Sequence, residues 1–404
     1  MKIAIVGYGI EGRSARRFLR KQYPRAEIEI RDVKRSPKYL EGLELFDMIV
    51  RSPGVKYLLP EIQRAKKKGA RITSVTKLFF ENANGAIIGM TGTKGKGTTA
   101  SMLLRILKKA GKDVYLVGNI GTPMLNILPK LTKGSIVIVE LSSFQLQDVD
   151  ASPHIAVILD IVPDHLNYHR TMREYASAKS NICAHQSPRD KVFYIAQNAL
   201  SRSAAQKGKG KKYAVDFDHF KLFTPGDLTV PGHYNFKNSI VAATVAQSFG
   251  ISPQIIKKTI TSFRGLQYHL SLERERDGVR YYNDSASTNP VSTEAALSVF
   301  TTPKILIMGG ADKNFDYSVL RLPVKNNNVR QVILFGSNKA KIKKAIIGCA
   351  PIRYARDLPE AVHMAERMAC TGDAVLFSPA SASFDMFHNS KDRGRTFSKI
   401  VKSL

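Results

Sequence analysis

Two glycine-rich turns, each set between a short apolar run and an amphipathic stretch, restrict this chain to α/β architecture. The first is Gly7-Tyr-Gly9-Ile-Glu-Gly12, after a predicted strand over Lys2–Val6 and before a predicted helix over Ser14–Lys21. Asp32 lies 20 residues beyond Gly12, just past a second predicted strand, Ile28–Arg31. In that setting a G-x-G-x-x-G turn brings backbone amides at a helix N-terminus to a phosphate, and the acid to a ribose. A full dinucleotide fold needs two βαβαβ halves, whereas a second glycine-rich unit already begins by residue 89. The residues favour a smaller nucleotide ligand. A nicotinamide cofactor, and a tight turn with no ligand, stay open.

The second turn follows a predicted strand, Gly85–Met90. It reads Thr91-Gly92-Thr93-Lys94-Gly95-Lys96-Gly97-Thr98-Thr99 and runs into a helical pattern through Leu103, Leu104 and Leu107. Glycines free backbone N–H groups to cradle phosphate oxygens, Lys96 reaches the terminal phosphates, and a hydroxyl can hold Mg²⁺. A strict Walker A pattern would need glycine where Met90 stands and serine or threonine where Gly97 stands. Further on, a predicted strand Ser135–Val139 ends in Glu140, placed as a Mg²⁺ ligand would be, or as a satisfied polar residue at a strand end. A strand over His154–Leu159 leads to Asp160–His169, where His165 is either a metal ligand or a structural histidine. Lys179, on a predicted helix, reads by itself as a solvated lysine.

Predicted helices Asn235–Phe249 and Pro253–Ser262 close the middle unit. Beyond Leu266, predicted strands Val279–Asn283, Lys304–Met308, Val332–Phe335 and Ala374–Phe377 alternate with helices near Ser292–Val299, Ala340–Ile347 and Leu358–Cys370. Such alternation builds a mostly parallel sheet with helices on both faces. Ligands bind at the carboxyl ends of its strands, where the loops Asn283–Asn289, Gly309–Asn314 and Ser378–Asp385 fall.

The 62 lysines and arginines against 33 acids give a net charge of +29. A field of that sign attracts polyanions. The basic residues are dispersed, however. The one cluster, Lys207–Lys212, has no interleaved aromatics, and no nucleic-acid-binding motif is present, so phosphorylated small molecules are the expected partners and specific nucleic-acid binding is not. Three cysteines without C-x-x-C spacing exclude a disulfide framework and a thiolate zinc site. No apolar run approaches a membrane span. The opening Met1–Val6 lacks the apolar segment of an export signal, so a cytoplasmic location is expected.

In order along nearly the whole chain, Gly92–Thr99, Gly118-Asn-Ile-Gly121, Glu140–Leu146, Pro163–His165, Lys179, His233–Asn238, Asn283–Ser285 and Ser378–Asp385 resemble the Mur ligases. The Ser142–Gln145 and Ser378–Ser383 segments are similar to the branch that adds D-glutamate. The resemblance implies an α/β chain of three domains: a Rossmann-like UDP-substrate-binding domain (1–84), a central phosphate-loop ATPase domain with a mostly parallel sheet (85–265), and a Rossmann-like C-terminal domain that brings the amino acid (266–404). It implies that ATP phosphorylates the carboxylate of UDP-N-acetylmuramoyl-L-alanine and that the amine of D-glutamate attacks the acyl phosphate. This belongs to cytoplasmic peptidoglycan precursor synthesis, by a chain expected to act as a monomer.

By the same resemblance Gly92, Thr93, Lys94, Gly95, Lys96, Gly97 and Thr98 bind ATP, with Asn235, Asn238, His269 and Asp284 on the nucleotide side. Thr98, Glu140, His165 and Lys179 hold Mg²⁺, Lys179 as a carbamate; Lys96, His165 and Lys179 are the catalytic set. Gly7, Gly9, Gly12, Asp32, Ser52, Asn119 and Ser142 take the UDP-substrate. Thr288, Lys313, Ser383 and Phe384 take the amino acid.

The chain departs from the pattern in several places. Gly97 replaces the usual serine or threonine, and Lys94 the usual asparagine. Tyr268-His269 replaces His-Arg, removing a guanidinium that contacts ATP. Ala286 stands for a lysine, and Ser390 where an aromatic often lines the glutamate pocket. Other readings therefore stay in view: the same ligase chemistry with L-glutamate or on folate, a non-enzymatic basic nucleotide-binding protein, and a nicotinamide dehydrogenase.

Overall fold

A computed structural model of the chain describes residues 1–119 and 121–404. Three β-sheets form among the described residues. In the first, β1 (Lys2–Val6), β2 (Glu27–Arg31), β3 (Met48–Arg51) and β4 (Arg71–Ser74) are all parallel, in the order β2-β1-β3-β4. Strands buried on both faces read as continuous apolar runs. Accordingly Ile3, Ile5, Met48 and Val50 pack into one core, and Ala4, Val6 and Ile49 into another.

The second sheet comprises β5 (Ala86–Thr91), β6 (Val114–Gly118), β7 (Ile136–Glu140), β8 (Ile155–Ile158), β9 (Lys191–Ile195) and β10 (Lys211–Val215). All six are parallel, in the order β10-β9-β8-β5-β7-β6. β5 therefore lies between β7 and β8, and the loops after these three strands leave the same edge. Part of the Lys207–Lys212 cluster is the start of edge strand β10; lysines there discourage pairing with another chain. Lys212 Nζ turns back onto the carbonyls of Gly208 and Gly210 at 3.0 and 3.1 Å.

The third sheet holds β11 (Ser271–Arg276), β12 (Val279–Asn283), β13 (Lys304–Gly309), β14 (Val329–Phe335), β15 (Ile352–Tyr354) and β16 (Ala374–Phe377). Its order is β11-β12-β16-β13-β14-β15. β11 is antiparallel to β12, joined by the Asp277-Gly278 turn, and the remaining pairs are parallel. Alternation again divides its side chains: Leu306, Met308 and Leu334 face one core, and Ile305, Ile307 and Phe335 the other.

The chain clusters into two compact units. One is residues 1–222 with 238–259, holding the first two sheets; the other is residues 223–237 with 260–404, holding the third. No helix among the described residues is long and apolar enough to cross a membrane.

Candidate active site

The glycine turn at residue 7 sits at the end of β1, as its pattern predicts, but the helix after it begins at Ile10, four residues earlier than expected. Gly12 is therefore inside the helix. A Cβ there would stand 2.3 Å from the Gly7 carbonyl oxygen, so only glycine lets helix and turn pack. Asp32 accepts the Tyr8 amide at 2.5 Å and the Lys34 amide at 2.9 Å. These backbone hydrogen bonds hold its carboxyl below the usual aspartate range. Ser52, past the end of β3, donates to the Gly7 carbonyl at 2.7 Å.

β5 delivers the second turn. Gly95 caps the helix Lys96–Lys109 at φ 83°, a left-handed conformation that other residues rarely adopt, and a Cβ would lie 2.2 Å from Asn238 Oδ1. The first-turn amides of that helix have no intrahelical partners and favour anions. Lys94 is exposed. Thr93 also makes contacts beyond the loop. Its amide donates to the Asp160 carbonyl at 2.7 Å, and its hydroxyl meets the Val162 carbonyl and the Tyr175 hydroxyl, both at 3.1 Å. Thr93 thus ties the phosphate loop to the segment that carries His165.

Lys96 Nζ curls back to the carbonyls of Gly92 and Thr93, at 3.0 and 3.1 Å. Burial pushes its pKa down, against the pull of Glu140 and Asp164. Lys179 comes from a different helix, Met172–Ala184, yet its Nζ donates to the same Gly92 carbonyl at 2.7 Å. It is 2% exposed, not solvated, and lies 4.6 Å from the centre of the Tyr175 ring, one helical turn away. Burial first, and the Lys96 charge second, push its pKa down to about 7.

Glu140 ends β7, and the β5–β7 register sets it opposite Met90 at the mouth of the phosphate loop. It is 6% exposed, and its Oε2 is buried without a hydrogen-bond partner. Burial raises its pKa, opposed by Lys96 and Asn119. An orphaned, buried carboxylate oxygen fits a cation-binding role, because burying a charge without a partner is costly. His165 adopts φ 53° and packs edge-on against Phe144, ring centres 5.0 Å apart. Ser142 begins the turn after β7 in a capping box with Gln145. Asn119 is exposed after β6, and Ile120 of the same predicted segment lies outside the described residues. Among the described residues, no cluster of three His, Cys, Asp or Glu side chains is present.

The other unit holds the remaining candidates. Asp284 is buried after β12, where its carboxylate accepts from the hydroxyls of Ser287 and Ser378 and from the Leu270 amide. Burial pushes it up to about 7 despite these donors. The loops after β13 and β16 are joined by the Ala311 amide on the Ala382 carbonyl at 2.9 Å, which brings Lys313 Nζ to 5.3 Å from the ring centre of Phe384. Ser383 is buried beside them and Phe384 is exposed. His269 is exposed, and Thr288 is half-buried ahead of the helix Pro290–Leu297. Asn235 Nδ2 donates to the Pro231 carbonyl at 2.8 Å.

Four structural participants carry weaker sequence signals. Tyr175 and His169 could have been found from helical spacing, Tyr175 four before Lys179 and His169 four after His165. His169 is fully buried, with Nε2 2.8 Å from Ser143 Oγ and its ring stacked 5.5 Å from Phe144; burial pushes its pKa down to about 4. Arg393 is a fully buried arginine that braces Ser285, Ser381 and Ala382 through its guanidinium. Arg51, closing β3, gives no local signal at all.

Residues 90–246 match the Mur ligase middle domain, and residues 270–381 the Mur ligase, glutamate ligase domain. The chain is 37% identical to a UDP-N-acetylmuramoylalanine–D-glutamate ligase of Acetivibrio thermocellus, over 91% of this chain and 84% of that protein. It is 34% identical to the enzyme of the same name in Clostridium kluyveri, over 100% of this chain and 97% of that one. Among solved structures it is similar to the MurF ligase of Thermotoga maritima in complex with ADP: TM-score 0.58, 17% identity, 89% of this chain and 90% of that chain. A folylpolyglutamate synthase of Thermotoga maritima has a TM-score of 0.61 at 15% identity, covering 82% of this chain and 92% of that one. At such identities the two structures share the fold.

Proposed function

The chain belongs to the Mur ligase family, and from that premise we propose that it is an ATP-dependent ligase joining D-glutamate to UDP-N-acetylmuramoyl-L-alanine. The observation that carries this reading is the convergence of Lys96 and Lys179 on one carbonyl of the phosphate loop, beside a buried carboxylate with an unpartnered oxygen. In the reaction, an oxygen of the substrate carboxylate takes the terminal phosphoryl group of ATP as the bond to ADP breaks. The amine of D-glutamate then attacks the acyl carbon, loses a proton, and inorganic phosphate leaves.

The residues supply positioning and charge. The first-turn amides of the helix from Lys96 and the Lys96 ammonium take the phosphates and stabilise the charge on the moving phosphoryl group. Glu140, His165 and the Thr98 hydroxyl would hold Mg²⁺, and Lys179 would complete the set as a carbamate. An ammonium at Lys179 repels a cation, whereas a carbamate offers hard oxygen donors. The buried, partnerless Glu140 Oε2 supports this assignment. Mg²⁺ bound there would neutralise charge on the transferred group.

The division of labour we propose assigns UDP-substrate binding to residues 1–84, with Asn119 and Ser142 contributed from the second sheet. ATP binding falls to 85–265, and amino-acid binding to 266–404 through Thr288, Lys313, Ser383 and Phe384. The chain acts in the cytoplasm as a monomer on small molecules, without specific nucleic-acid binding. Ala286 stands where the family has a lysine and Ser390 where an aromatic often lines the glutamate pocket, so L-glutamate is the second reading for the acceptor.

The test is phosphate release from ATP with UDP-N-acetylmuramoyl-L-alanine across a panel of D- and L-amino acids. Release dependent on D-glutamate supports the proposal. Release dependent on L-glutamate alone transfers it to the second reading, and no release with any amino acid overturns both.

A further inference from the structure

Arg51 and Asp148 form an ion pair that belongs to none of the motifs above, and their side chains are 0% and 2% exposed. Arg51 Nη2 donates to Asp148 Oδ1 at 2.6 Å, and Nε to Oδ2 at 3.4 Å. The rest of the guanidinium serves carbonyls: Nη1 reaches Val55 at 2.7 Å and Ser52 at 3.4 Å, and Nη2 reaches Phe144 at 3.2 Å. The acceptors lie on two separate segments. Ser52 and Val55 form the turn after β3, in the first sheet. Phe144 and Asp148 follow β7, in the second.

Those segments also meet through the glycine turn. Ser52 Oγ donates to the Gly7 carbonyl at 2.7 Å. Gln145, next to Phe144, donates from Nε2 to Glu11 Oε1 at 3.2 Å, in the first turn of the helix Ile10–Gln22. A closed ring results: Gly7, Ser52, Arg51, Phe144, Gln145, Glu11, and back through the helix to Gly7. Gly7, Ser52 and Ser142, three of the residues assigned to the UDP-substrate, lie on or beside this ring.

A buried ion pair is a poor source of net stability. Desolvating two charges offsets most of their attraction, and apolar replacements of similar size are often neutral. What such a pair fixes is geometry, because a planar guanidinium is satisfied only when all its acceptors hold their places. We propose that Arg51 and Asp148 are a positioning pair that holds the Gly7–Ser52 side of the UDP-substrate site in register with its Ser142 side. Affinity for the UDP-linked substrate depends on the pair; affinity for adenine nucleotide, bound at the loop after β5, does not. This inference rests on the functional reading above.

The experiment compares wild type, the doubly apolar variant R51M/D148L and the charge-retaining R51K by calorimetry with UDP-N-acetylmuramoyl-L-alanine and with ADP, and by thermal melting. R51M/D148L is expected to melt within about 4 °C of wild type. It should bind the UDP-substrate at least about tenfold more weakly, as small misplacements of a site do, with ADP affinity within about twofold. R51K keeps the charge without the fork and should fall between. Unchanged UDP-substrate affinity in the double variant, or equal weakening for both ligands, overturns the proposal. If the double variant does not fold, R51K decides by the same two constants, and loss of folding in both assigns the pair to stability and overturns it. A wild type that binds ADP but no UDP-substrate overturns the functional reading as well. Wild-type binding with wild-type-like variants overturns this inference alone.

Discussion

Asp32 holds the Tyr8 amide, 24 residues earlier in the chain, at 2.5 Å. The acid that the spacing marks as a nucleotide ligand is thus also the clamp on the glycine turn. Its second oxygen takes the Lys34 amide, so the carboxylate orders two backbone segments before any ligand arrives.

Asp32→Ala should therefore raise the KM for the UDP-substrate by about tenfold, the equivalent of one hydrogen bond to a charged group, and leave the KM for ATP nearly unchanged. Asp32→Asn, which can still accept from Tyr8, should retain more of the affinity. Steady-state kinetics with each substrate varied in turn decides the point. Equal rises in both KM values would contradict the separate-site arrangement.

Lys96→Ala should reduce ATP-dependent phosphate release by about 10² or more, the usual scale for losing one preorganised charge at a phosphoryl or oxyanion site. Binding of the UDP-substrate, measured by calorimetry, should survive. Near wild-type turnover in this variant would remove the phosphate loop from the mechanism.

The Lys179 amine, with its pKa pushed down to about 7, is largely neutral above that pH, and only the neutral amine captures CO₂. Wild type in ¹³C-bicarbonate should show a carbamate carbonyl resonance that strengthens as pH rises through 7 and is missing in Lys179→Ala. The same variant should be nearly inactive and partly rescued by short-chain carboxylates, while Lys179→Glu should retain some activity. A fully active Lys179→Ala, or no resonance at any pH, would refute the assignment.

Asp284 makes a prediction about stability. Its folded-state pKa, about 7, lies above the ordinary carboxyl value, so the folded protein binds this proton more tightly than the unfolded chain does. The contribution is present below pH ~4 and is lost as pH rises to about 7. Asp284→Asn should remove that slope, leaving the variant more stable relative to wild type at pH 7 than at pH 4, by on the order of 1–4 kcal/mol. Denaturant melts at the two pH values measure it, and an unchanged difference would place the proton elsewhere.

Local pattern in the sequence was enough to mark both glycine turns, the strands β12 and β16 to the residue, and the candidates Glu140 and His165. Each depends on neighbours a few residues away: a run of apolar residues, a glycine, or a helical spacing. Local pattern also misplaced one helix start. The helix after β1 begins at Ile10 because only packing shows that Gly12 must sit against Gly7. Part of the basic run Lys207–Lys212 became edge strand β10 because β9 lay free to pair with it. Only the fold shows that Thr93 gives its amide to Asp160 and its hydroxyl to Val162 and Tyr175. Tertiary structure alone decided which charges lost their water. Lys179, on a helix that could as well have faced solvent, is carried to the Gly92 carbonyl, and Arg51, an arginine at the end of an apolar strand, is enclosed with Asp148. Burial and long-range pairing set the energies of these groups. Neither is encoded within the few residues on either side, because each depends on which distant strands the chain brings together.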